Sequence, residues 1–171
     1  MFNTVLEGRV VSLVEECARL DSQVRGDPVR VVVERLHPAA RIPVCVHDSD
    51  AAADISTPAA VRILPGETVV IPMGIALHIP RGYAGHVWGR SGLAVRGLRV
   101  HDGTIDESYR LEIHVIATNH SQCACVFGPG DRIAQLAIRP VPRVEWSEGA
   151  VVPTARGGIG STGMGPMEVT P

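Results

Sequence analysis

Aromatic residues are scarce in this chain: two each of Trp, Tyr and Phe among 171 residues. A core built on rings is therefore excluded, and Val, Ile, Leu and Ala must fill it. An excess of charge of one sign is lacking too, because 16 basic and 18 acidic side chains leave a net charge of -2. Without a broad basic field, nucleic acid is not an expected partner. No apolar run approaches bilayer-spanning length, so no membrane partner is expected either. The first residues, with Glu7 and Arg9, lack the basic-then-apolar pattern of a signal peptide, and a cytoplasmic location is expected. Cys17, Cys45, Cys123 and Cys125 fit no disulfide framework and read as reduced thiols. Cys123 and Cys125 lie near His114 and His120, but a second ligand pair at zinc spacing is missing, so small buried thiols are the expectation.

What the chain has in plenty is Gly, 18 residues, and Pro, 13 residues, and their spread favours short strands and turns over long helices. Residues 1–28 differ from the rest. Val5, Leu6, Val10, Leu13, Val14 and Leu20 approach helical spacing, and Arg25-Gly26-Asp27-Pro28 would stop such a helix. This reads as a short N-terminal helical appendix, suited to packing or to contact with another protein through residues 1–26. From 29 to 140 the signals are β: strands over Val29–Val33, Val61–Leu64, Thr68–Ile71, Gly74–Ile79, Tyr83–Trp88, Leu98–Val100, Leu111–Asn119, Ala124–Phe127 and Ile133–Arg139. That series predicts one all-β domain, a jelly-roll or related distorted barrel. Residues 141–171 form an extended, Pro-containing arm ending in Gly-rich Arg156–Gly163, which is either disordered or ordered by a ligand or a neighbouring subunit.

Several segments carry chemistry. Gly103 to Arg110 reads as a tight β-hairpin presenting Asp106 and Tyr109, with glycine supplying a positive φ. After it, Leu111, Ile113, Val115 and Ala117 alternate with Glu112, His114 and Thr118, a strand with one buried face. A carboxylate at the mouth of such a turn is placed to accept a proton from water. Gly89-Arg90-Ser91-Gly92-Leu93-Ala94 follows a strand and can open a helical turn, which makes it either a phosphate cradle or a surface turn with a solvated arginine. In Gly130 to Leu136, Asp131 and Arg132 can pair locally, whereas Gln135 sits among apolar neighbours where its amide needs partners and can donate to a phosphate. Arg156, Ser161 and Thr162 supply donors on a backbone that can close over an anion. Asp48, Asp50 and Asp54 lack the remaining features of a calcium loop, and Asp54 reads as a structural carboxylate supporting a nearby site.

Taken in order, these segments resemble the five motifs of the trimeric all-β dUTPase (deoxyuridine triphosphatase) family. They are Ala51–Ile55, Gly89–Ala94, Gly103–Glu112, Gly130–Leu136 and Arg156–Gly163, with the stretch Ile71–Gly85 similar as well. The resemblance implies a β-clip fold and Mg²⁺-dependent hydrolysis of dUTP to dUMP and pyrophosphate. It implies Asp106 as general base for water attacking the α-phosphorus, and Tyr109 under the deoxyribose. It places the backbone of Gly103 to Ile105 at the uracil edge. It assigns the phosphates to Arg90, Ser91, Gly92 and Gln135, and closure of the arm to Arg156, Ile159, Gly160, Ser161 and Thr162. Mg²⁺ would be held by the triphosphate and water, not directly by the protein. A homotrimer with shared active sites is implied as well. The chain departs from the pattern at Ala53, Ser108, Leu111 and Ile159, in a fifth motif two residues shorter, and at His101 and Asp102, which raise the question of base preference. A dCTP deaminase relative and a non-catalytic nucleotide-sensing relative are the alternative readings.

Overall fold

A computed structural model describes residues 28–153 and 155. The expected N-terminal helix, Cys17 and the fifth-motif residues Arg156, Ile159, Gly160, Ser161 and Thr162 lie outside the described residues. The chain forms β1 (Val32–Arg35), β2 (Ala53–Ser56), β3 (Val61–Ile63), β4 (Thr68–His78), β5 (Tyr83–Gly89), α1 (Ser91–Ala94), β6 (Leu98–Val100), β7 (Gly103–Ile105), β8 (Glu112–Asn119), β9 (Cys125–Phe127) and β10 (Arg132–Pro140). One sheet has the order β1-β4-β8-β6, a second β2-β10-β5-β7, and β3-β9 make a small third. Every pairing is antiparallel. The all-β expectation is met. The sheets do not close on one another, so the expected distorted barrel is an open pair of sheets around one core.

That core is aliphatic, as the shortage of rings requires. Ile71, Met73, Ile113 and Val115 from the first sheet meet Ile55, Val87, Ile105 and Leu136 from the second. Each such side chain, removed from water, contributes about 1.5–3 kcal/mol. The alternation read in β8 holds at Ile113, Val115 and Ala117, which are buried. It fails at its two ends. Leu111 is 69% exposed because it precedes the strand, and Thr118 is buried because its hydroxyl bonds Thr68 across the sheet, 2.7 Å, and His101 Nε2, 2.8 Å. Cys123 is exposed and Cys125 half-buried, so the expectation of buried thiols is not met there.

Pro72 suggested two strands where there is one. β4 runs unbroken through 11 residues. The proline is accommodated by a register shift between Pro72 and Ala76, at which Gly74 takes φ +66°. Gly74's free N–H donates to Glu112 Oε1 at 2.7 Å, and a Cβ there would meet His37 Cβ at 2.9 Å. Bulges of this kind are where a strand tolerates proline. The first strand begins at Val32 rather than Val29. β2 is read in the sequence only as part of a motif.

Residues 141–153 follow β10 without regular secondary structure, and their side chains are exposed, Trp146 at 90%. No helix among the described residues is long and apolar enough to cross a membrane.

Candidate active site

Asp54 sits at the centre of the first half of the site. In the three-strand row β2-β10-β5 it stands opposite Gln135, which stands opposite Trp88. Directly opposed residues share a face, so Asp54, Gln135 and Trp88 form one line across the sheet. The backbone of Asp54 is locked on its other side by two bonds with Val44, 2.8 and 3.1 Å. Its carboxylate, 7% exposed, joins two arginines: Arg132 Nη1 donates to Oδ2 at 3.0 Å, and Arg90 Nε lies 3.1 Å from Oδ1. The second is an ion-pair contact whose alignment falls short of a hydrogen bond, since Oδ1 is otherwise unsatisfied. Asp54 thus ties together the two segments that carry Arg90 and Arg132. The local Asp131–Arg132 pair does not form: Asp131 Oδ2 accepts from Gly128 N–H at 2.7 Å, while Arg132 reaches across to β2.

Arg90 departs from the picture of a free phosphate fork. Besides Asp54, its Nη1 donates to the Arg132 carbonyl at 3.0 Å, so the guanidinium is largely committed to holding β2, β10 and α1 together. Arg90 itself is extended, φ -91° and ψ 132°, and caps α1. Its carbonyl accepts from the N–H groups of Leu93 and Ala94, both 3.0 Å, which makes the single helical turn expected of this motif. Ser91 and Gly92 are exposed on that turn. They share a cavity of about 270 Å³ with Arg90, Leu93, Arg96 and Gln135. Arg96 was missed in the sequence, being one surface arginine among many. Its position is fixed by the next residue: Gly97 takes φ +89°, and a Cβ there would meet Ser121 N at 2.9 Å. Arg90, Ser91, Gly92 and Gln135 are therefore brought together, with Arg96 added. Farther along the same face, the Arg139 guanidinium stacks 4.6 Å from the Trp88 ring, and His86 stacks on that ring at 6.1 Å.

The second half of the site is built differently from the expected hairpin. β7 pairs with β5, Gly103 opposite Val87 and Ile105 opposite Gly85, whereas β8 pairs with β4 and β6. The residues between are a turn crossing from one sheet to the other, closed by Tyr109 N–H donating to the Asp106 carbonyl at 3.0 Å. Glu107 fixes its flank by accepting from Gly82 N–H. Gly103 has no positive φ, so turn geometry does not explain the glycine. A cavity of about 240 Å³ is lined by Val87, Gly103, Thr104, Ile105, Tyr109, Ile113 and His114. The Tyr109 hydroxyl donates to the Glu112 carbonyl at 2.9 Å. Neither His101 nor Asp102 is among the lining residues. Asp106 is exposed and lines a separate cavity of about 430 Å³, with Arg81 and Arg143 as its cations. Those two arginines also went unnoticed in the sequence.

The two halves lie at opposite ends of β5. Asp106 follows Ile105, opposite Gly85, and Ser91 lies two residues beyond Gly89. At ~3.3 Å per residue this separates them by roughly 15 Å. Elsewhere, Asp50 closes its own loop by accepting from the N–H groups of Val46 and His47, both 2.9 Å. The His47 bond holds its carboxyl below the ordinary 3.8.

A family model described as dUTPase matches residues 39–163. The deoxyuridine 5'-triphosphate nucleotidohydrolase of Gloeobacter violaceus is 43% identical over 142 residues, covering 80% of this chain and 97% of that protein. The protein of the same name from an Anaeromyxobacter species is also 43% identical, over 145 residues, 80% of this chain and 99% of the relative. Among solved structures, a mutant dUTPase of Staphylococcus bacteriophage 80alpha with dUpNHpp superposes at TM-score 0.71, 27% identical, over 79% of this chain and 99% of that one. A mutant dUTPase from phage phi11 of S. aureus, described as coordinating a structural Mg(II) ion, gives TM-score 0.66 at 27% identity, over 70% and 95%. The match spans both halves of the site and nearly the whole length of these relatives, and the chain belongs to the dUTPase family.

Proposed function

We propose that this chain hydrolyses dUTP to dUMP and pyrophosphate. The observation that carries the proposal is the gathering of Ser91, Gly92, Arg96 and Gln135 around one cavity backed by the Asp54–Arg90–Arg132 cluster. Its side chains are cations and neutral donors, the set an anionic triphosphate chain needs. The nucleoside cavity supplies Gly103 to Ile105 for the base edge and Tyr109 for the deoxyribose.

Asp106 then acts as general base. It takes a proton as water oxygen bonds to the α-phosphorus, and the bond from that phosphorus to the bridging oxygen breaks, releasing pyrophosphate. Positioning and neutralisation of charge carry most of the remaining work. Among the described residues no group of three or more His, Cys, Asp or Glu side chains is placed to hold a metal, and the donor set suits a substrate that brings Mg²⁺ on its own phosphate oxygens and waters. When bound, that ion supplies neutralisation of phosphate charge.

The separation of Asp106 from Ser91 supports a site shared between copies of the chain, because attack on phosphorus requires contact distance. A homotrimer satisfies this, with residues 29–140 as the β core and 141–171 as an arm that brings Arg156, Ser161 and Thr162 over the phosphates and Ile159 and Gly160 against the nucleotide. Residues 1–28 are left as an appendix, with residues 1–26 for a protein partner, and the cytoplasm as the compartment. Neither nucleic acid nor a membrane has a place in this reading.

The test is pyrophosphate release from each deoxynucleoside triphosphate with Mg²⁺, for the wild type and Asp106→Asn. Turnover confined to dUTP, and reduced by about 10²–10⁴-fold in the variant, is the expected result. Binding of dUTP without turnover by the wild type would overturn it in favour of a sensing role.

A further inference from the structure

The nucleoside cavity contains one polar side chain from outside the five motifs. His114 lines it together with Gly103, Thr104, Ile105, Tyr109 and Ile113. The imidazole Nδ1 lies 3.0 Å from the Glu112 carbonyl oxygen. A carbonyl only accepts, so Nδ1 carries the proton, and in the neutral ring Nε2 is left with a lone pair. The same carbonyl accepts the Tyr109 hydroxyl at 2.9 Å. One backbone oxygen therefore orients both the ring read as the sugar platform and the imidazole beside it. The Glu112 carboxylate, the nearest acid on that strand, is engaged by Gly74 N–H, and across the sheet His114 faces Pro72.

We propose that His114 is a nucleoside-contact residue, and that its Nε2 accepts a hydrogen bond from a donor on the deoxyuridine moiety. The inference rests on the dUTP reading of this site and deepens it: recognition gains a side-chain acceptor, oriented by the carbonyl that also anchors Tyr109.

The experiment compares wild type, His114→Ala and His114→Gln in dUTP turnover and in binding of dUMP, which lacks the β- and γ-phosphates. His114→Ala is expected to raise KM for dUTP and Kd for dUMP about ten-fold, the value of one hydrogen bond of about 1.4 kcal/mol, with kcat within two-fold. His114→Gln, which keeps a side-chain acceptor, is expected to recover most of the loss. In the wild type, the imidazole nitrogen resonances of His114 should shift on adding dUMP. Wild-type affinity in the alanine variant, or imidazole resonances indifferent to dUMP, would overturn the inference while leaving dUTP hydrolysis intact. If His114→Ala does not fold, the resonances and His114→Gln still decide. A wild type that binds no deoxyuridine nucleotide would overturn the reading of the cavity and the inference together.

Discussion

Asp54 is the residue on which most of the Arg90–Gln135 half of the site depends. It is nearly buried, and its two partners come from different segments, Arg90 ahead of α1 and Arg132 at the start of β10. Removing one partner of a buried ion pair leaves charge uncompensated and costs about 3–5 kcal/mol. Here both arginines retain some exposure, which softens the penalty. Asp54→Ala is expected to lower stability by about 2–3 kcal/mol and to weaken dUTP binding at least ten-fold; urea unfolding and calorimetry read the two effects. Stability equal to wild type would show the cluster to be ornamental. In the sequence Asp54 stands out by its place after small residues. Its partners are not legible there, because Asp131 adjoins Arg132 in the sequence while the carboxylate that pairs with it lies on another strand. The basic side chains are all arginines, with no lysine in the chain, and a guanidinium can bridge two acceptors at fixed geometry where an ammonium acts as a point charge.

At the level of elements, α1 is a single turn whose glycine answers no need of the fold. Gly92 has no positive φ, and a Cβ built on it meets nothing within 4 Å. Helix propensity alone would favour alanine there by ~1 kcal/mol. Gly92→Ala is therefore expected to leave the melting temperature unchanged or raise it, and to weaken triphosphate binding, because the methyl group would occupy space that the proposed function gives to phosphate. Thermal melting and dUTP titration of the one variant separate the two effects. A fall in stability with unchanged affinity would contradict this. Periodicity found most strands, since an alternation such as Ile113, Val115, Ala117 reports one buried face directly. It could not say which sheet a strand joins. β7 and β8 follow each other closely, as hairpin strands do, yet they bond to different partners, and only the tertiary arrangement decides that. Pro72 misled for a related reason, because the bulge and the Glu112 carboxylate that accommodate it are supplied from elsewhere.

For the whole molecule, the decisive fact is that one copy holds Asp106 and Ser91 at opposite ends of β5. If each site takes its base from one copy and its phosphate cavity from another, two inactive variants complement each other. Asp106→Asn and Ser91→Ala, each feeble alone, should regain roughly a quarter of wild-type dUTP turnover after being mixed, unfolded and refolded together in equal amounts. Sites confined to one copy would show no gain. The family resemblance implies this expectation, whereas the segments of this chain alone do not, since separation along a strand is visible only once strands are paired.

The Asp54–Arg132 pair spans 78 positions of sequence, and among the described residues β2 has no neighbouring strand in its sheet other than β10. During synthesis at ~5–20 residues per second, β2 thus waits several seconds before its partner strand exists. The cavity lined by Ser91 and Gln135 cannot form early, and its closure is a long-range step of the slow kind. Nucleotide binding should therefore report completion of the fold. Because ligand binds the native chain and not its precursors, substrate in the cell would draw the last strand home.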